Sequence, residues 1–313
     1  MSAAQDQQTA LQRMAGWATA DEPLGPFTTY KVGGPALVFC VPRTAEDLHT
    51  VAGVVQETGL AVLVVGRGSN LLVADSGFVG IAVSLSAIAE WIEFDGSVVA
   101  AGAAVPLPVL ARRCVAAGLV GFEWAVGVPG SVGGAVRMNA GGHGSDIAAA
   151  LVGAHVLDLC TATQSWVPVD LLDLQFRSSN LRDHQVVLDA RLQLTFGDVA
   201  TAESNLSEIV RWRREHQPGG QNAGSVFVNP IPGQLPAAVL IDQLGLRGFR
   251  IGGAFVSDKH ANFIQATDGA TAADVRKVMD HVRAAVREST GIELRSEVRL
   301  VGFTNAGSSN SSS

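Results

Sequence analysis

The sequence predicts an α+β fold in several lobes, and three features predict it. Segments with helical apolar spacing alternate with short apolar runs, the strand–helix–strand rhythm of a mixed lobe. Residues 186–196 alternate apolar and polar side chains with period two, as a half-buried strand does. Two glycine-dense loops, Gly66-Arg67-Gly68-Ser69-Asn70 and Gly127-Val128-Pro129-Gly130-Ser131-Val132-Gly133-Gly134-Ala135, sit where apolar runs end. Without a Cβ in the way, such loops bring backbone N–H groups within hydrogen-bond reach of a phosphate, and two of them suggest a dinucleotide held along its pyrophosphate.

In chain order, residues 1–24 read as an N-terminal extension; they are rich in Ala and Gln and lack the apolar core of a signal peptide. A first lobe spans 25–80. In it, Thr44-Ala45-Glu46-Asp47 has the spacing of a capping box, Leu48, Val51, Val54 and Val55 share one helical face, and Gly59 is a stop. Residues 61–65 are then a buried strand feeding the first glycine loop. A second lobe spans 81–198. Asp95-Gly96 marks a hairpin, Leu107, Leu110, Cys114 and Val115 mark a helix ended by Gly118, and residues 186–196 form the half-buried strand, with Val186, Leu188, Ala190, Leu192 and Leu194 on one face. A third lobe spans 199–303. Ser204 caps a helix bearing Leu206, Ile209 and Trp212, stopped by Pro218. Thr271-Ala272-Ala273-Asp274 caps another, with Val275, Val278, Met279, Val282 and Val286 on its buried side, and residues 292–301 close the chain as an alternating return strand. The small, polar residues 304–313 form a tail expected to be disordered.

At 313 residues, 47% hydrophobic and 16% charged, the chain has room for a large core. Its formal charge is −7 and its 22 basic residues are scattered, whereas nucleic-acid binding calls for a basic stripe interleaved with aromatics. No apolar run approaches the ~20 residues that span a bilayer. Cys40, Cys114 and Cys160 have no paired spacing, so they read as buried, reduced thiols with neither a disulfide framework nor a metal site. A cytoplasmic monomer is expected.

The loops match neither common nucleotide fingerprint. There is no Gly-x-x-x-x-Gly-Lys-Ser/Thr, and no Gly-x-Gly-x-x-Gly followed by an acidic residue about 20 positions on. A more specific pattern is present. Thr28-Thr29-Tyr30-Lys31-Val32-Gly33-Gly34-Pro35-Ala36, Gly66-Arg67-Gly68-Ser69-Asn70-Leu71-Leu72, and Gly127 to Ala135 continued by Met138-Asn139-Ala140-Gly141-Gly142 resemble the FAD-binding segments of the UDP-N-acetylenolpyruvoylglucosamine reductase family. Ala223-Gly224-Ser225-Val226-Phe227-Val228-Asn229-Pro230, Gly252-Gly253-Ala254, Lys259-His260-Ala261-Asn262-Phe263 and Glu297-Val298-Arg299 with Gly302 resemble its substrate-domain and C-terminal segments, in the family's order.

This resemblance implies an FAD-binding fold of the vanillyl-alcohol oxidase type, two lobes holding non-covalent FAD and a C-terminal α+β lobe closing over substrate. It implies cofactor contacts at Tyr30, Val32, Gly33 and Gly34, at Gly66, Arg67, Gly68, Ser69, Asn70 and Leu71, and at Gly127, Pro129, Gly130, Ser131, Gly133, Gly134, Asn139 and Gly141. The implied reaction belongs to peptidoglycan precursor synthesis. NADPH reduces FAD, hydride passes to C3 of the enolpyruvyl ether of UDP-N-acetylglucosamine, and C2 takes a proton to give UDP-N-acetylmuramate. Ser225 matches the family's proton donor, Arg177 its carboxylate-binding arginine, and Glu297 the glutamate that assists the enolate, with Glu293 the nearby decoy. Asn229 and Lys259 are candidate substrate contacts. The short interval from Arg177 to Ser225 resembles the compact class of the family, which lacks an inserted tyrosine-bearing segment.

Several positions depart from the family pattern. Phe176 replaces a tyrosine and keeps only the ring, and His143 also stands where tyrosine is common. Val228 replaces a lysine and Phe255 a glutamine, which bears on substrate affinity more than on chemistry. His260 reads as structural. Two rival readings share the fold: a flavin-dependent oxidase or dehydrogenase of a small alcohol or hydroxy acid, in which Ser225 has no role, and a non-catalytic UDP-sugar sensor.

Overall fold

The computed structural model describes residues 2–231 and 234–303; the 304–313 tail lies outside the described residues. The chain opens with α1 (Ala3–Arg13), nucleated by a capping box in which Ser2 Oγ accepts the Gln5 N–H and Gln5 Oε1 accepts the Ser2 N–H at 2.9 Å. Then comes β1 (Ala18–Pro23), antiparallel to β2 (Pro35–Cys40) with Ala18 opposite Cys40. Helix α2 (Ala45–Thr58) has the predicted Thr44/Asp47 box and ends at Gly59 with φ +67°. Of the strands that follow, β3 (Ala61–Val64) and β5 (Phe78–Val83) join the first sheet in the order β1-β2-β5-β3, while β4 (Leu71–Val73) stands apart from it.

Two predicted boundaries shift here. Residues 1–24 are not an appendage, because β1 is the edge strand of the first sheet and the fully buried Ala10 and Met14 join the core beside Val51 and Val54 of α2. Helix α1 is polar on average, and its sparse Ala and Leu residues are too few to announce this packing. Strand β5 likewise carries the first lobe past the predicted break after residue 80.

The second lobe is a five-stranded antiparallel sheet ordered β12-β11-β13-β7-β6. Strands β6 (Ile92–Asp95) and β7 (Val98–Gly102) form the hairpin predicted from Asp95-Gly96. Helix α3 (Leu107–Ala116) follows, then β8 (Leu119–Val120), α4 (Val132–Met138), and the small ladder of β9 (Gly141–Gly142) with β10 (Ser145–Asp146). The long strands are β11 (Leu151–Asp158), β12 (Thr163–Pro168) and β13 (Gln185–Gln193), with β14 (Thr195–Phe196) paired to β8. The predicted alternation along β13 breaks at Leu188. A register shift against β11 buries Val187 in its place.

Helix α5 (Val199–His216) starts five residues before the predicted Ser204 cap, because Asp198 Oδ2 accepts the Thr201 N–H at 2.8 Å. It packs on α3 and on the 3₁₀ turn Glu123–Gly127, so it belongs with the second lobe rather than opening the third. The third lobe has α6 (Ala237–Gln243) and a sheet of β15 (Arg250–Ile251), β16 (Ala254–Val256) and β17 (Ile264–Ala266) backed by α7 (Ala272–Thr290), all five of whose predicted core residues are buried. Of the predicted 292–301 strand, only β18 (Arg299–Val301) is regular; it returns to the first lobe and pairs parallel with β4.

Burial pushes the Cys40 and Cys114 thiols up to about 12, the nearby Glu123 adding to the effect at Cys114. Cys160 departs from expectation: it is exposed in the β11–β12 turn, where the hairpin forces it outward. Among the described residues no helix is long and apolar enough to cross a membrane. Because Met14 is fully buried in the main core, Met14→Ala is expected to cost about 2–5 kcal/mol in chemical denaturation; a loss within ~0.5 kcal/mol, the range of a surface change, would return residues 1–24 to the status of an extension.

Candidate active site

Two cavities of about 420 and 260 Å³ run along the two glycine loops and share Gly66, Arg67, Ser131, Gly134, Arg137 and Arg299 in their walls. Of the predicted cofactor residues, Gly66, Arg67, Gly68, Ser69, Asn70 and Leu71 line this cleft from one side. Gly127, Pro129, Gly130, Ser131, Gly133, Gly134 and Gly141 line it from the other. The loops touch each other: a Cβ on Gly66 would stand 2.6 Å from Ser131 Oγ. That same hydroxyl accepts the Gly134 N–H and caps α4. Some glycines are required by the chain's own packing. Gly68 has φ +59°, and a Cβ there would meet the Phe27 carbonyl oxygen at 2.1 Å.

Five predicted cofactor residues lie outside the cleft walls. Tyr30 and Val32 are buried in the core of the third lobe. Gly33 and Gly34 press against Val73 and Asp75, where a Cβ on Gly34 would come 2.1 Å from the Asp75 carbonyl oxygen. This segment wedges the lobes together. Burial raises the Tyr30 phenol's pKa, and the Ala223 backbone opposes that without reversing it, while the phenol oxygen makes no hydrogen bond to the described residues. The fifth, Asn139, sits behind the wall at the end of α4.

Ser225, Arg177 and Glu297 all face the larger cavity. Residues 225–228 are clamped between two segments. On one side Asn262 Oδ1 accepts the Phe227 N–H at 3.0 Å, and Asn262 Nδ2 donates to the Phe227 carbonyl at 2.8 Å. On the other the Glu297 N–H donates to the Val226 carbonyl at 2.8 Å. Asn70 reaches across from the first glycine loop and donates to the Glu297 carbonyl at 3.1 Å, so that loop also positions the glutamate. Arg177 Nε donates to Glu297 Oε1 at 2.9 Å, with both side chains about one-fifth exposed. Burial raises the Glu297 pKa, and the Arg177 charge and hydrogen bond oppose that without reversing it. The decoy Glu293 pairs on the surface with Arg283 at 2.8 Å.

Asn229 lines the cavity and its Oδ1 accepts the Ala237 N–H at the start of α6. Lys259 does not line it. Its ammonium donates to the Arg214 carbonyl, which helps to satisfy the C-terminus of α5. His260 is structural: Nδ1 accepts the Asn262 N–H at 3.2 Å, and burial lowers its pKa. His143 packs edge-on against Trp212 at 5.1 Å, and burial, then the Arg213 charge, lower its pKa. Val228 and Phe255 are absent from the cleft walls; the ring of Phe255 is covered by Arg250 at 4.3 Å.

Sequence reasoning gave roles to Arg67 and Arg177 but none to three other arginines of the cleft, Arg137, Arg213 and Arg299. Arg137 and Arg299 share Asp183 at 3.3 and 2.7 Å at the junction of the two cavities, close to Arg67 in the wall. Arg213, on the last turn of α5, faces the larger cavity and donates to Gln217 Oε1 at 2.8 Å, with no carboxylate partner among the described residues. An i, i+4 Arg–Gln pair before Pro218 was the available signal, but with the helix start misplaced nothing said which face it occupied. Glycine-lined walls beside the guanidinium groups of Arg67, Arg137 and Arg299 suit a pyrophosphate, so the residues present fit FAD.

A family model for an FAD binding domain matches residues 36–166, and one for the C-terminal domain of UDP-N-acetylenolpyruvoylglucosamine reductase matches residues 216–301. The reductase of Bacillus subtilis is 39% identical over 298 residues, covering 94% of this chain and 97% of that protein. The reductase of Heliobacterium modesticaldum is 43% identical over 283 residues, covering 90% of each. The crystal structure of the Thermus caldophilus UDP-N-acetylenolpyruvylglucosamine reductase superposes with a TM-score of 0.78 at 32% identity, over 91% of this chain and 98% of that one. With that agreement in sequence and in fold, the chain belongs to the UDP-N-acetylenolpyruvoylglucosamine reductase family.

Proposed function

We infer that Arg177, Glu297 and Ser225 carry the reaction of this family in this chain, the NADPH-dependent reduction of UDP-N-acetylglucosamine enolpyruvate to UDP-N-acetylmuramate. The chain is an FAD-dependent oxidoreductase. The observation that carries the residue assignment is the convergence of positions 177, 225 and 297 on one cavity that both glycine loops also line. FAD, when bound, supplies the redox chemistry, taking hydride from NADPH and delivering it to C3 of the enolpyruvyl group.

Hydride addition at C3 moves charge onto C2 and the substrate carboxylate. Three of the five N–H groups of Arg177 are held by Glu297 and by the carbonyls of Asn139 and Gly141, which leaves two for that carboxylate. Burial raises the Glu297 pKa and so favours its neutral carboxyl, the form that can share a proton with the enolate. The Ser225 hydroxyl makes no hydrogen bond to the described residues; it gives its proton to C2 and is reprotonated from solvent. Arg213 holds a nucleotide's phosphates, and Asn229 contacts the substrate. Lys259, engaged at α5, leaves that assignment.

The interval from Arg177 to Ser225 contains β13, β14 and α5, which supports the compact class. A cytoplasmic monomer engaging neither nucleic acid nor membrane completes the reading, supported by the dispersed basic residues and the formal charge of −7. The oxidase and sensor readings gain nothing from the relatives.

The purified protein is expected to be yellow, to bleach with NADPH and to recolour on addition of the enolpyruvyl substrate; recolouring with oxygen alone, at equal rate, would favour an oxidase. In Ser225→Ala, bleaching should persist while recolouring slows by about 10²–10⁴; an unchanged second step would remove Ser225 from the mechanism. Arg213→Gln should raise the KM for a nucleotide substrate about ten- to a hundredfold at little cost in kcat, measured by steady-state kinetics with each substrate varied. For Glu297, a folded pKa above its ordinary 4.5 means that the stability of the neutral form is full below that value and lost as pH rises through the folded pKa. Glu297→Gln cannot ionise, so its Tm advantage over the parent should grow from pH 5 to pH 8; an advantage that shrinks with pH would contradict the sign of the shift.

A further inference from the structure

Arg177 occupies an unfavourable backbone state. Gln175 and Ser178 exchange both backbone hydrogen bonds, at 3.0 and 3.1 Å, and close a tight turn around Phe176 and Arg177. Within it Arg177 has φ +57°, a left-handed conformation that is unfavourable for a side-chain-bearing residue. The turn persists because its surroundings over-determine it, and one residue supplies much of that determination.

Asn139 is 4% exposed and is itself left-handed, with φ +40°, at the C-terminus of α4. Its Nδ2 donates to the Gln175 carbonyl at 3.1 Å, which pins the base of the turn, and to Asp146 Oδ2 at 3.3 Å. Its Oδ1 accepts the Ala148 N–H at 3.4 Å, which fixes the amide's orientation. Its own carbonyl accepts Arg177 Nη1 at 3.3 Å, while Gly141, two residues on, accepts Nη2 at 2.8 Å. Asn139 therefore holds Arg177 at both ends, the turn and the guanidinium, yet its side chain is absent from the cleft wall.

We propose that Asn139 is a positioning residue for Arg177: its buried side chain fixes the 175–178 turn so that the guanidinium meets the substrate carboxylate and Glu297 in one geometry. The proposal rests on the carboxylate-binding role given to Arg177 above. It assigns Asn139 to the second half of the catalytic cycle and removes it from the cofactor contacts implied by the resemblance.

Asn139→Gly tests this, because glycine accepts the positive φ and keeps the carbonyl while deleting the side chain. With the FAD-loaded enzyme in stopped flow, NADPH bleaching should stay within about twofold, while reoxidation by the enolpyruvyl substrate slows ~10–10²-fold, the scale of an ångström-sized misplacement. Adding Asn139→Gly to Arg177→Met should slow reoxidation little further, since the one acts through the other. If Asn139→Gly does not fold, Asn139→Asp serves. It keeps the acceptor for Ala148, and its reoxidation rate relative to the parent should recover as pH falls, when the protonated carboxyl can again donate to Gln175. Equal slowing of both half-reactions, full multiplication with Arg177→Met, or a pH-independent defect in Asn139→Asp would overturn the proposal. A normal reoxidation rate in Arg177→Met would instead overturn the role of Arg177 itself.

Discussion

The contact between Arg177 and Glu297 joins residues 120 positions apart, and the organisation of the cleft depends on it. A mostly buried ion pair is costly to desolvate and weak evidence for stability. Here the cost is contained because both partners are held independently. The arginine is tied to two backbone carbonyls of the second lobe. The glutamate hangs on a segment fixed by Val226 in the third lobe and by Asn70 in the first. The pair therefore reports the relative placement of all three lobes, and its carboxyl has a pKa pulled up by burial and down by its partner.

The glycines divide between two jobs that look identical in sequence. Gly130 lines the cleft, and a Cβ there would meet nothing nearer than 3.7 Å, so its lack of a side chain is not demanded by the chain's own packing. Gly34 and Gly68 are needed because another stretch of backbone passes within about 2 Å of where a Cβ would sit. The second job supports the first: the close approach of Gly68 to Phe27 holds the loop in which Arg67, Ser69 and Asn70 are displayed.

What the sequence discloses follows the range of the interaction. Local chemistry is legible: the Thr44/Asp47 and Thr271/Asp274 boxes, the Asp95-Gly96 hairpin and the buried face of α7 all need only neighbours in the chain. The motif segments place Ser225, Arg177 and Glu297, and the fold brings them to one cavity. Long-range effects are not legible. Met14 looks peripheral until α2 covers it, Lys259 looks like an anion anchor until α5 ends beside it, and Leu188 loses its face to a register shift set by β11. Arg213 is the sharpest case, since its value comes from having no carboxylate partner among the described residues, which no linear pattern displays.

The pairing of the last strand with β4 has a consequence for synthesis. Asn70 and the glutamate it touches lie 227 residues apart, and both belong to the wall of one cleft. The nascent chain can build its first two sheets early, since every strand in them precedes residue 194. The wall behind the first glycine loop is finished only when the final described strand has left the ribosome. Native capture of the dinucleotide is thus a closing event in the maturation of the polypeptide, and a truncated translation product lacks the completed pocket even where most of its secondary structure has formed.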